Sequence, residues 1–223
     1  MLLRMLSKNR AGIAIAALAV LAIGYWGYTV QQQRAQREAV AAAITDTTAR
    51  LRDSLAVAPN ASGKPSLPRI EEHAVVVERH LKTIRSSKNL AELAEGAELY
   101  VLGAREILRR QALSIRQSEQ SGASRAALIG HMRRSARRDG AWIRDAMAQK
   151  KIVEAQYFDY GLTLTALAEL LKTFPDSKQR IAPLVGEQAL LDNAPAEEAR
   201  RLVLKESKRA ADDLDSVRRL APR

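Results

Sequence analysis

Cysteine is absent from the 223 residues, which excludes a disulfide framework, thiol catalysis and any cysteine-ligated metal. Aromatic residues make up 4% of the chain, and 11 glycines and 7 prolines supply few turns, so a sandwich of short strands is excluded as well. Histidine is nearly as scarce: His73, His80 and His131 are all there is. A nucleophilic enzyme needs a base beside its serine or cysteine, and here the choice of base is narrow. No G-x-S-x-G, P-loop, dinucleotide fingerprint or H-E-x-x-H occurs. His73 and His80 stand seven apart, whereas ligand pairs on a helix stand three or four apart, and no Glu-x-x-His pair occurs. Both read as solvated helix-surface histidines. The expectation is a non-enzyme with no catalytic residue, no metal and no cofactor.

What the chain does hold is alanine, leucine, arginine and glutamate, the residues that favour helix. Residues 11–30, AGIAIAALAVLAIGYWGYTV, carry no charge and are flanked by Arg4, Lys8 and Arg10 before and by Arg34 and Arg37 after. Twenty such residues match the length a helix needs to cross about 30 Å of hydrocarbon. Tyr25, Trp26 and Tyr28 cluster at the far end, where amphipathic rings prefer the membrane interface. The stretch reads as a single transmembrane anchor in contact with membrane lipid. A cleaved signal peptide is the competing reading, but no small-x-small site follows the apolar core until Ala41–Ala43. A buried core helix is the other, but Ala and Leu all round with no polar stripe are unusual for a soluble helix. Basic residues on the two sides nearly tie. The short N-terminal tail favours an N-terminus inside and a domain exported, which places a bacterial inner-membrane protein with its C-terminal part in the periplasm.

The expected fold class is all-α, with one N-terminal transmembrane helix followed by an antiparallel helical bundle. Residues 1–10 form a basic tail, 11–30 the anchor, 31–57 a membrane-proximal helical stalk, 58–68 a Pro/Gly linker and 69–223 the bundle. In 31–57, Val40, Ile44, Thr47, Leu51 and Leu55 recur at three- and four-residue steps, so one face is apolar. That helix either stands clear of the bilayer or lies against the domain. Beyond the linker, seams run through Ile70, Ala74, Val77, Leu81 and Ile84, and, over about 88–119, through Leu90, Ala94, Ala97, Val101, Ala104, Leu108 and Ile115. Ser121-Gly122 is expected to end that second helix. A third helix, about 123–149, would point Leu128, Met132, Ala136, Ile143 and Ala146 inward, and a fourth, about 151–173, Val153, Tyr157, Tyr160, Leu164, Leu167 and Leu171. Phe174-Pro175-Asp176 should stop it. Pro195 with Glu197 and Glu198 reads as the start of a last helix running to about Leu220. Four or more such helices on short loops predict a bundle, and no repeat of 30–50 residues suggests a solenoid.

Net charge is +11, and its location is informative. Residues 105–151 hold twelve Lys/Arg against four acids, so the excess beyond the anchor is one band. Its densest part is His131 to Arg138, where Arg133 with Arg137 and Arg134 with Arg138 stand four apart on one expected helix. Arg144, Lys150 and Lys151 extend it. Guanidinium forks suit phosphates and carboxylates, and like charges this close cost stability unless something neutralises them. Tyr157, Phe158 and Tyr160 form a second candidate, a ligand or partner patch, against the plainer reading as core.

The function expected from these features is a membrane-anchored accessory or scaffold subunit of a bacterial envelope assembly. It would bind protein partners through the bundle and its basic band, with self-association as a further mode. An alternative is an extracytoplasmic small-molecule sensor. In architecture alone the chain resembles the four-helix ligand-binding modules of chemoreceptors, and that resemblance implies a ligand site within the bundle. A domain facing the cytoplasm would instead fit binding to nucleic acid or anionic lipid; an exported one leaves nucleic acid out.

Overall fold

The first proline of the chain is Pro59, and nothing before it interrupts a helix: α1 runs unbroken through Leu2–Leu55, about 80 Å at 1.5 Å per residue. In the computed structural model, residues 2–56, 66–87, 91–134 and 139–220 are described, without the side chains of 2–19, 91–93, 134 and 184. Most of the linker 58–68 thus lies outside the described residues. After it come α2 (Leu67–Ser86), α3 (Ala91–Arg134) and α4 (Gly140–Thr173), then 3₁₀ turns around the one-turn α5 (Ala182–Val185), and finally α6 (Asn193–Arg219). No strand occurs among the described residues.

Among the described side chains of α1, those that belong to the core lie in its second half. Val40, Ile44, Thr47, Leu51 and Leu55 are all buried, as their spacing predicts, so this part lies against the domain. They meet Ile70, Val77, Leu81 and Ile84 of α2 and Ala97 to Ile115 of α3 in one continuous apolar cluster. The first half of α1 projects beyond the bundle, and Val20 to Tyr28 are exposed. No helix among the described residues is long and apolar enough to cross a membrane. Residues 11–19 of the expected span have side chains outside the description. The helical bundle therefore stands, while the membrane-spanning part of the expected fold finds no support among the described residues.

Polar pairs between facing side chains fix the antiparallel register of α1 and α2. Asp53 meets Arg69 at 2.6 Å and the His73 ring at 3.6 Å, and Asp46 meets the His80 ring at 3.3 Å. Histidines seven apart on α2 thus face aspartates seven apart on α1. This corrects the expectation of solvated histidines: His73 is buried and His80 half-buried. His80 Nδ1 also lies 3.0 Å from the Thr47 hydroxyl. Burial is the larger influence on His80 and lowers its pKa from 6.5, outweighing the pull of Asp46 in the other direction. Just below pH 6.5 the unfolded chain therefore binds more protons here than the folded one, and stability rises with pH. The melting temperature is expected to climb between about pH 5 and pH 7. In His80→Gln the climb should flatten; an unchanged slope would assign it to other groups.

The α2–α3 pair is joined along its outer edge by Arg116–Glu71, Arg105–Glu78 and Arg85–Glu98. Exposed pairs of this kind contribute about 0.2–1 kcal/mol each, so they set register while the apolar seam supplies most of the stability. At the centre sits Tyr100, fully buried. Its ring packs on Phe174 with centroids 4.8 Å apart. Its hydroxyl accepts from the Leu191 backbone N–H at 3.2 Å and lies 2.8 Å from the Thr48 hydroxyl, which itself donates to the Ile44 carbonyl at 3.0 Å. One donor order satisfies every member: Leu191 N–H to Tyr100, Tyr100 to Thr48, Thr48 to Ile44. Burial raises the Tyr100 pKa, which keeps the hydroxyl a donor. Gly103 makes room for this arrangement, since a Cβ there would stand 2.9 Å from the Phe174 ring.

Two helix boundaries differ from the sequence expectation. Ser121-Gly122 does not end α3, which continues to Arg134. The Ser121 hydroxyl donates back to the Ser118 carbonyl, and Gly122 stays helical at a cost of about 1 kcal/mol. Packing of Leu128 against α4 and α6 offsets that cost. The backbone is extended instead at Asp139, which caps α4 from Gly140 and accepts from the Trp142 N–H at 2.9 Å. From there α4 runs through residue 150 without interruption. Phasing shifts accordingly: Trp142 turns inward and Ile143 outward, contrary to expectation, while Ala146 is buried as expected. Ala136 lies outside the described residues.

Past the end of α1, the second half of α3, the first half of α4 and the second half of α6 form a separate three-helix end. Its core is Leu128, Val153, Tyr157, Tyr160, Leu164, Ala210, Leu214 and Val217. α3 runs parallel to α1, with Thr48 beside Tyr100 and Ser54 beside Gln111. The three-helix end is therefore opposite to the end from which α1 projects. Measured along the axis, Arg134 is about 70 Å from Val30.

Candidate functional site

Most of the expected basic band falls at this distal end. Arg133 is exposed on the last turn of α3, whereas the side chains of Arg134, Arg137 and Arg138 lie outside the described residues. Of the i, i+4 arginine pairs expected on one helix, Arg137 and Arg138 lie outside the described residues. Arg144 and Lys151 are exposed on α4. Lys150 has a structural use: its ammonium donates to the carbonyls of Arg218 (2.6 Å) and Leu220 (2.8 Å), satisfying the end of α6. Arg125 is likewise engaged, bonded to Asp213 at 2.5 Å between α3 and α6. At the tip, His131 stacks on Trp142 with centroids 5.5 Å apart.

Tyr157, Phe158 and Tyr160 do not form one patch. Tyr157 and Tyr160 point into the distal core, and Phe158 is 55% exposed on the opposite side of α4. That outer side holds a feature that sequence reasoning missed. Ala148, Lys151, Ala155, Phe158 and Leu162 recur at three- and four-residue steps, all exposed, with Ile152 beside them. The corresponding positions of α6 are charged, among them Arg201, Lys205, Lys208, Asp212 and Asp215. The 4-3 pattern on α4 was masked in the sequence because its inner face is equally apolar. Tyr25, Trp26 and Tyr28 are exposed on the projecting part of α1.

A second missed feature is a cleft between α3 and α6, floored by α4. Its proximal compartment encloses about 430 Å³, walled by Leu55, Ile115, Leu164, Leu167, Leu171, Leu202 and Val203. A distal compartment of about 390 Å³ adjoins it and ends at the Arg125–Asp213 pair. Tyr160, Ser118, Glu206 and Arg209 border both. Tyr160 donates to the Glu206 carboxylate at 3.1 Å. Burial, aided by the Glu206 charge, pushes the tyrosine pKa up to about 12, so it remains a donor at neutral pH. No periodicity marks this cleft, since its walls come from residues up to about 150 positions apart.

No group of three or more His, Asp or Glu placed to hold a metal ion occurs among the described residues. Comparison with family models, with curated proteins and with solved structures finds none that matches this chain.

Proposed function

We propose that the chain is a membrane-tethered interaction subunit of a bacterial envelope assembly, held by residues 11–30 and recruiting a protein partner through the outer face of α4. The carrying observation is that face itself. Of the four large apolar residues of the bundle that are more than half exposed among the described residues, three, Ile152, Phe158 and Leu162, lie on α4, and the fourth is Val75 on α2. Contiguous exposed apolar surface of this sort marks an interaction site. A 4-3 seam is what a docking helix reads, and Arg144 and Lys151 beside it favour a partner helix carrying acidic residues. Geometry weighs against the anionic-lipid alternative for an anchored chain. The basic band lies about 70 Å along the axis from the anchor, many times the ~8–10 Å over which salt leaves charges in contact.

The test is the double substitution Phe158→Asp with Leu162→Asp in the full chain. Both positions are exposed, so helicity and melting temperature should hold, as surface changes stay within about 0.5 kcal/mol. Recovery of the cross-linked partner should fall more than tenfold, while Arg201→Ala on α6 leaves it unchanged. Equal recovery from the double variant would remove the α4 face as the docking surface.

A further inference from the structure

We infer that the cleft between α3 and α6 binds a single-chain anionic amphiphile, its apolar chain in the proximal compartment and a carboxylate at the Lys205–Arg209 mouth. The enclosed volume of about 430 Å³ falls in the range of small-molecule sites. Its floor, from Tyr160 to Leu171, is about 16 Å long. A slender ligand of about that length fits the compartment. Leu55 and leucine side chains from α4 and α6 line the compartment, which suits an unbranched hydrocarbon. On the α3 wall, Ser114 and Gln111 direct their hydrogen bonds to backbone carbonyls, those of Gln111 and Ser54, at 2.8 Å each. The Ser114 hydroxyl and the Gln111 amide N–H are thus engaged by the protein itself, while Gln111 Oε1 is buried without a partner.

The mouth specifies the head. Lys205 and Arg209 stand one turn apart on α6 and both are exposed. Lys205 makes no ion pair among the described residues, and Arg209 meets Glu206 only at 3.9 Å. Glu206 is in turn engaged by the Tyr160 hydroxyl. Two cations against one carboxylate leave a single positive charge, and Arg125–Asp213 at the far edge is neutral as a pair. A monoanionic head is the complement.

The experiment uses the full chain in lipid nanodiscs, with equilibrium dialysis of labelled dodecanoate and empty nanodiscs as the reference for partitioning. One saturable site per chain is expected above that reference. Octanoate should bind more weakly by about fourfold per methylene removed, and dodecyltrimethylammonium should show no saturable site. Leu202→Trp, which fills the compartment, and the exposed pair Lys205→Glu with Arg209→Glu should each weaken dodecanoate binding at least tenfold. If Leu202→Trp loses helicity, the charge-reversal pair carries the test alone. Phe158→Asp with Leu162→Asp should leave dodecanoate binding intact, which separates this site from the α4 face. No saturable component above empty nanodiscs, equal binding of the cationic analogue, or unchanged binding in the folded variants would each overturn the inference.

Discussion

Tyr100→Ala should destabilise the fold by about 3–5 kcal/mol, the range for removing a large buried aromatic side chain. At a few degrees per kcal/mol for a chain of this size, thermal unfolding by circular dichroism should shift downward by roughly 10 °C or more. The size of the effect follows from how many elements meet at one side chain. Phe174 loses its stacking partner where α4 ends, Thr48 loses its partner on α1, and the Leu191 N–H is left without an acceptor. A buried donor without a partner costs about 1–3 kcal/mol on its own. Tyr100→Phe separates these contributions, since it keeps the ring and removes only the hydroxyl. It should cost less than half as much. Equal losses for the two variants would mean that the hydroxyl chain, and not the packing of the ring, holds these elements together.

The same position shows what spacing alone reveals. Val40 to Leu55, Ile70 to Ile84 and Ala97 to Ile115 announce their buried faces because each helix has one apolar stripe and a charged remainder. Tyr100, one residue before the Val101 of the seam, is as buried as the seam itself, because α3 is covered from more than one side. Helix ends were less legible. Ser121-Gly122 has the composition of a stop, yet a glycine ends a helix only where the backbone turns, and packing on both flanks holds it straight. The true start of α4 is marked by Asp139, a single residue whose side chain caps the Trp142 N–H. His73 and His80 read as surface residues because the aspartates that face them lie 20 and 34 positions earlier in the chain. The cleft was invisible for the same reason on a larger scale: α3, α4 and α6 each contribute ordinary leucines and serines, and only their separation makes a cavity.

Deleting residues 1–30 should move nearly all of the protein from the membrane pellet to the supernatant, while circular dichroism still reports a folded helical bundle. The second half of the expectation rests on α1 itself, whose buried residues begin at Val40, so the deletion removes no core side chain among those described. The first half rests on the uncharged stretch 11–30, whose Leu, Ile and Val residues each favour insertion by about 0.3–0.6 kcal/mol. Extraction of the undeleted chain by alkaline carbonate would show that this stretch is not an integral anchor. A membrane-bound chain shortened at its N-terminus would instead point to processing. Orientation can be read on the undeleted chain from fusions after Arg223: active alkaline phosphatase with a dark fluorescent protein is expected for an exported bundle. That outcome leaves an apolar α4 face and a cleft for an anionic amphiphile in a compartment without nucleic acid. A fluorescent fusion without phosphatase activity would place the distal arginines in the cytoplasm, where phosphate backbones become their natural counterpart and the salt dependence of binding would be the next quantity to measure.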